Sequence, residues 1–139
     1  MTIDIAAVTD NVRRELAYIT KHLTDSQGKS LYERYMVTRA DDEYIGDTVR
    51  DMLSSLVARY RDTLSAEEAT ITLRDADAHR RYDEDVLRRN IASYLKYSTV
   101  AKIVGDMGLT DTGRYGERAA MADRDIRLHI HDKQEPDEI

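Results

Sequence analysis

The sequence predicts a mainly α fold, a bundle of about four helices with a short β-strand or hairpin between the second and third long helices. Four segments repeat apolar residues at spacings of three and four, which is typical of helices with one buried face. One short segment, "ATITLRD", alternates and is rich in β-branched residues. The chain has 139 residues, the size of one ordinary domain. We therefore expect a single helical domain over residues 1–131 and an acidic C-terminal tail over 132–139.

The first helix is predicted from about Asp4 to Leu23. Its apolar residues recur every three or four positions and so line one face, while Arg13 and Arg14 lie off that face. The stripe comprises Val8, Val12, Leu16, Ile19 and Leu23. Residues 24–30, "TDSQGKS", then predict a loop in which Gly28 is the expected turn residue.

The second long helix is the clearest of the four. Before it, "LYERYMV" at 31–37 favours a short helix ending near Val37, although "YMVT" also fits a short strand. Asp41 or Asp42 can cap the long helix, which we expect to continue to Leu64. Its apolar stripe comprises Ile45, Val49, Met52, Leu56, Tyr60 and Leu64, widened by Leu53 and Val57.

A strand is predicted from Ala69 to Arg74. A lone strand needs a partner, which is either a second short strand of the same chain or a strand of a neighbouring subunit. Since this is the single alternating segment in a helical chain, we predict an edge strand that pairs outside its own helical body.

The third helix, predicted from about Asp83 to Met107, is apolar nearly all round in its second half. Between Ile91 and Val104 only Lys96 and Lys102 are charged. More than one face must be covered, either by the rest of this chain or by another subunit. We place one stripe along Leu87, Ile91, Tyr94, Ser98 and Ala101, with further contacts from Leu95, Val100, Ile103 and Val104.

The last helix is predicted from about Arg114 to His131, after a glycine-rich connector in which Gly105 and Gly108 end the third helix. Its stripe comprises Tyr115, Ala119, Ala122, Ile126 and Ile130. The tail "DKQEPDEI" is acidic and unpatterned, and we expect a neighbouring chain to hold it, with Ile139 as an apolar anchor.

The composition excludes several functional classes. A net charge of −6 argues against a general nucleic-acid binder, which needs a basic surface to displace counterions. The absence of Cys removes disulfides and thiolate metal sites. We expect no signal peptide, because the N-terminus lacks a basic region followed by an apolar one, and no membrane association, because the sequence has no long apolar run. Nine Tyr accompany no Phe and no Trp, and Tyr is enriched at protein interfaces.

No motif predicts catalysis, a metal or a cofactor. His129 and His131 are two residues apart and do not share a helical face, so we favour a surface or helix-C-terminal role. The acidic stretch at 75–85, "DADAHRRYDED", lacks the glycine and final glutamate of a calcium loop. The glycines of "GDMGLTDTG" at 105–113 lack the Gly-Lys-Ser/Thr ending of a phosphate loop. We therefore expect a protein that is not an enzyme.

The order of elements resembles the head–tail connector, or neck adaptor, proteins of tailed bacteriophages and prophages. The resemblance is greatest to versions in phages of Bacteroidetes-type gut hosts, in which one helix reads roughly "I..Y..Y...A.W". Ile91, Tyr94, Tyr97 and Ala101 match that pattern, while the tryptophan is absent and Ile103 or Val104 lies nearby. The family's second pattern is approximated by Tyr115, Ala119, Ile126, Ile130 and Pro136.

This resemblance implies a virion structural protein that is assembled in the cytoplasm of the host bacterium and located in the phage neck. Such a protein forms a homo-oligomeric ring, a dodecamer in the connector arrangement, between the portal protein and the next neck or tail protein. DNA passes through the ring without sequence-specific contact, and an acidic surface suits that passage because it repels the DNA backbone.

Two other classes stay open, a small non-enzymatic helical accessory protein that binds a protein partner through a tyrosine-rich face, and a DNA-processing subunit. The second requires clustered carboxylates or a basic groove, and the sequence shows neither cleanly. For either a ring or an accessory protein, the candidate interface residues are Tyr32, Tyr35, Ile71, Leu73, Tyr94, Tyr97, Ile103 and Ile139.

Overall fold

The computed structural model describes residues 1–24, 27–29, 36–73, 83–108 and 113–131. Within these ranges the chain is a bundle of four α-helices with a two-stranded antiparallel hairpin between the second and third, which confirms the predicted fold class. The helices are α1 (Ile5–Lys21), α2 (Asp42–Arg59), α3 (Glu84–Asp106) and α4 (Gly113–His131). The strands are β1 (Leu64–Glu67) and β2 (Thr70–Leu73).

Helix α1 begins where the sequence predicts. The Asp4 side chain accepts a hydrogen bond of 3.0 Å from the backbone N–H of Ala7, which satisfies one of the free donors of the first turn. The predicted stripe faces inward, and Val12 and Leu16 are fully buried. The helix therefore contributes one apolar side to the core and leaves the other to solvent.

Helix α2 is preceded by a 3-10 turn over Arg39–Asp41. Thr38 and Asp41 form a capping box there. The Thr38 side chain accepts a hydrogen bond from a backbone N–H of the turn, and the Asp41 side chain accepts one from the backbone N–H of Thr38. Arg13 of α1 donates to both carboxylate oxygens of Asp42, at 2.8 and 2.6 Å, and so joins α1 to the start of α2. The hydrogen bond to Asp42 and the nearby carboxylates raise the pKa of Arg13 further above its ordinary value.

The described connections bear on two predictions. Of the short helix expected over 31–37, residues 31–35 lie outside the described ranges, and Met36 and Val37 are not helical. Helix α2 ends at Arg59 and not at Leu64, because Leu64 opens β1 and is fully buried in the hairpin. In the sequence, Leu64 continues the apolar spacing of α2, so the spacing alone cannot show where the helix ends and the strand begins.

The hairpin corrects the prediction that the strand pairs outside its own helical body. Strand β2 pairs with β1 in the register Leu64↔Leu73 and Glu67↔Thr70. On its other side β2 meets the start of the chain, where Thr2 bridges Thr70 and the N–H of Ile71 donates to the carbonyl of Met1 at 2.8 Å.

Strand β2 is therefore central, with a neighbour along each side. The two-residue turn is made by Glu68, whose φ of 54° is left-handed, followed by Ala69. The partner strand, "LSAE", has little β-propensity, and its burial against α2 determines its conformation instead.

Helix α3 lies at the centre of the bundle, in contact with α1, α2 and α4. It is covered by its own chain, which explains why its sequence is apolar on several sides. Its most buried residues are Leu87, Ile91, Leu95, Thr99, Val100, Ile103 and Val104. The predicted stripe through Tyr94, Ser98 and Ala101 is only partly buried, so the buried side is rotated from it by about one residue.

The end of α3 is set by glycine. Gly108 has a φ of +76°, a conformation that lacks a steric penalty only for glycine, and its N–H donates to the carbonyl of Gly105 at 3.0 Å. The predicted stripe of α4 is buried throughout, from Tyr115 to Ile130. All four helices and the hairpin contribute to one hydrophobic core.

Candidate functional site

The predicted interface residues occupy three kinds of position. Ile71 is 0% exposed, because β2 lies between β1 and the start of the chain, and it offers no surface to a partner. Ile103 is 4% exposed and belongs to the core, although it also lies at the floor of a groove described below. Tyr32, Tyr35 and Ile139 lie outside the described residues, and for Leu73 the backbone alone is described.

Tyr94 and Tyr97, the two remaining candidates, are partly buried at the margins of the core. The Arg59 guanidinium lies over the Tyr94 ring, 5.2 Å from its centroid. Tyr97 has two cations beside it, with Lys96 at 5.3 Å and Arg118 at 5.5 Å from its centroid. Such contacts contribute about 0.5–1 kcal/mol each at exposed sites. Both rings are thus engaged by neighbours in the same chain.

A polar cluster joins α2 to α4 beside Tyr94. Asp123 accepts from the Tyr60 hydroxyl and from the Arg59 guanidinium, each at 2.9 Å. Burial raises the pKa of Tyr60 to about 12, and the hydrogen bond to Asp123 adds to that rise. Because the carboxylate favours the protonated form of the phenol, this hydrogen bond holds the end of α2 against α4.

A second phenol joins α4 to α1. The Tyr115 hydroxyl donates to Glu15 at 2.8 Å, and the Tyr115 side chain is 7% exposed. Burial raises the pKa of Tyr115 to about 12, with a further contribution from its bond to Glu15. This contact connects residues 100 positions apart in the sequence and so ties the last helix to the first.

The first exposed apolar surface is a groove of about 280 Å³, here called the α1–α3 groove. Met36 and Tyr44 border it and are 50% and 53% exposed. The described residues that line it are Leu16, Met36, Val37, Asp41, Tyr44, Ile45, Ile103 and Met107. Among them Asp41 carries the charge. At one side, the Tyr44 hydroxyl and Lys102 both contact Asp106 at 3.4 Å.

The second exposed apolar surface lies on α4 and is here called the α4 ridge, defined by Met121, Arg124 and Leu128. Met121 and Leu128 are 65% and 38% exposed. They are seven residues apart, which places them on one side of the helix, away from the buried stripe. Our sequence interpretation missed this ridge, although the spacing of two large apolar residues off the core stripe is visible in the sequence.

A larger cleft, of about 1010 Å³, separates the start of the chain from α2 and the hairpin turn. Its charged lining residues are Asp4, Arg50 and Glu68. Asp4 caps α1, and Arg50 contacts Asp47 at 3.4 Å. Two of the three charged lining residues are thus engaged by neighbours close to them in the sequence.

Metal-binding residues do not cluster in the part of the chain that the structure describes. His129 is 6% exposed on the inner side of α4, which rules out the surface role, whereas its place in the last turn of the helix agrees with the C-terminal role. Both histidines of "HIH" lie in α4, where residues two apart do not share a face. Most of the acidic stretch, residues 75–82, lies outside the described ranges.

No family model matches this chain, and neither the curated proteins nor the solved structures contain a significant match to it. Among the described helices, none has the length and apolar character needed to cross a membrane.

Proposed function

We propose that this chain is a structural subunit of the neck of a tailed bacteriophage. It assembles with other copies of itself into a ring beneath the portal protein, and the next neck or tail protein binds the other side of the ring. The phage location rests on the resemblance of the sequence pattern, and the observation that supports self-assembly is the presence of two different exposed apolar surfaces, the α1–α3 groove and the α4 ridge.

Two different surfaces are what a ring requires. A two-fold dimer uses one surface twice, whereas a closed ring joins one surface of each subunit to a different surface of the next. The groove is built from α1, α2, α3 and the segment before α2, and its described lining includes no residue of α4. The ridge lies entirely on α4. Each subunit can thus make one contact through each surface.

The folded core supports this interpretation, because the exposed residues are not needed to complete it. Nineteen buried residues from all four helices, the hairpin and the start of the chain form one cluster. Met121 is 65% exposed outside that cluster, and an exposed Met contributes little to the stability of a monomer. Contact with another chain would bury it without disturbing the core.

The proposed role is not enzymatic, and DNA is a passing cargo and not a bound ligand. The net charge of −6 repels the DNA backbone and favours sliding without adhesion. The ring needs no cofactor. The alternative accessory protein would bind through tyrosines, and the two candidate tyrosines that the structure describes, Tyr94 and Tyr97, are engaged by Arg59, Lys96 and Arg118 of the same chain.

Immunogold electron microscopy of virions tests the proposed location. An antibody against the purified chain is applied to particles of the phage or prophage whose genome encodes it. We expect label at a single vertex, where head and tail meet. Particles that contain no copy of the chain, by labelling and by mass spectrometry of purified virions, would overturn the phage role and leave self-assembly as a separate question.

A further inference from the structure

We propose that the α4 ridge of one copy docks into the α1–α3 groove of a second copy, and that Arg124 of the ridge pairs with Asp41 of the groove. This inference rests on the proposed assembly of the chain with itself and specifies the two surfaces that make the contact.

The groove suits side chains of another protein better than a small ligand. Its volume of about 280 Å³ falls just below the roughly 300–1,000 Å³ typical of ligand pockets. Six of its eight described lining residues are apolar side chains other than tyrosine. Two or three apolar side chains of a helix, spaced by one or two turns, fill such a surface in the usual way.

The ridge offers that kind of occupant. Met121 and Leu128 protrude on the same side of α4, and Arg124 lies between them, three residues after one and four before the other. Methionine is unbranched and adapts to an irregular groove. Methionine and arginine are both enriched in protein interfaces.

The charges of the two surfaces are complementary. Asp41 lines the groove and has no ion-pair partner among the described residues; its carboxylate accepts from the backbone N–H of Thr38 at 2.9 Å. The neighbouring Asp106 is already paired with Lys102. On the ridge, Arg124 is exposed and likewise has no ion pair within the described part of the chain. Pairing Arg124 with Asp41 across the contact joins two charges that are otherwise solvated.

The contact is heterologous, because each copy contributes a ridge to one neighbour and a groove to the other. Repetition closes into a ring when the rotation between copies divides a full turn, and otherwise it continues into a filament. One ridge and one groove per subunit therefore suffice to build the assembly.

A mixing experiment with two full-length variants tests the pairing. Met121→Asp places a charge on the ridge, and Met36→Asp places one in the groove; both positions are at least half exposed, so the fold should persist by circular dichroism. Each variant alone should remain monomeric. An equimolar mixture should form a dimer and stop there, because the intact ridge of one variant meets the intact groove of the other.

Tyr18→Asp is the matched control. Tyr18 is 64% exposed, as Met121 is at 65%, but it lies on α1 and is not a described lining residue of the groove. This variant should assemble as the wild type does.

Charge reversal tests the ion pair. Arg124→Asp and Asp41→Arg should each raise the concentration for half-assembly by about tenfold, and the double variant should recover most of that loss. Arg127→Asp, an exposed arginine on the same helix, should leave assembly unchanged. Because Asp41 also belongs to a capping box, Asp41→Asn serves as the variant that keeps an acceptor and loses the charge.

The outcomes separate the inference from the proposed function. If the wild type assembles and both Met121→Asp and Met36→Asp also assemble, the ridge and the groove are the wrong surfaces while the ring proposal stands. If both variants are monomeric and their mixture does not dimerise, the contact between ridge and groove is refuted. If the wild type is itself monomeric at every concentration, the proposed ring fails with it.

Discussion

At the scale of single residues, two of the tyrosines that the structure describes make partly buried hydrogen bonds with carboxylates. Tyr60 donates to Asp123 and Tyr115 donates to Glu15. The sequence suggests that tyrosine replaces phenylalanine at boundaries, and these two residues show the physical reason. The ring is packed against the core, and the hydroxyl reaches a partner on another helix. Which carboxylate is reached depends on tertiary placement, and the sequence could not predict it.

Tyr115 leads to a prediction about alkaline stability. Its folded-state pKa is raised to about 12 from an ordinary 10.0, so the folded chain holds this proton more tightly than the unfolded chain. The stabilising effect is complete below pH 10 and is lost as the pH rises towards 12. Between these values, the free energy of unfolding should fall less steeply for Tyr115→Phe than for the wild type, as measured by urea denaturation. Equal slopes for the two proteins would contradict this prediction.

At the scale of elements, helix α3 is the centre of the bundle. Its apolar character on several sides predicted that more than one face is covered, and α1, α2 and α4 cover it. Leu95 is fully buried there, and Leu95→Ala should lower the free energy of unfolding by about 2–5 kcal/mol. Ser93→Ala, at an exposed position of the same helix, should change it by less than about 0.5 kcal/mol. Similar losses for the two variants in chemical denaturation would show that α3 is not the core helix.

The hairpin changes what a proline at Ile71 should do. Ile71 is fully buried, and its N–H donates to the carbonyl of Met1. Ile71→Pro removes both the packing and the donor, so it should destabilise the isolated subunit by about 3 kcal/mol or more. A thermal melt of the monomer measures this effect. A variant that melts like the wild type and fails only in assembly would support pairing of β2 outside the chain.

At the scale of the whole molecule, apolar spacing predicted all four helices, because one buried face per helix produces that spacing in any bundle. It did not predict β1, since "LSAE" has no strand pattern and is extended only because Leu64 packs inside. It also did not separate Ile71 and Ile103, which belong to the core, from Met121 and Leu128, which are exposed. Both pairs are apolar in sequence, and only the packing of the helices distinguishes them.

The central claim is that this chain assembles with itself through two different surfaces, and the mass of the native particle tests it most directly. Native mass spectrometry of the wild-type chain over a series of concentrations gives the number of copies in each species. The account predicts one closed particle of fixed copy number above a threshold concentration, with monomers below it. A chain that stays monomeric at every concentration, or stops at a dimer, would contradict the account.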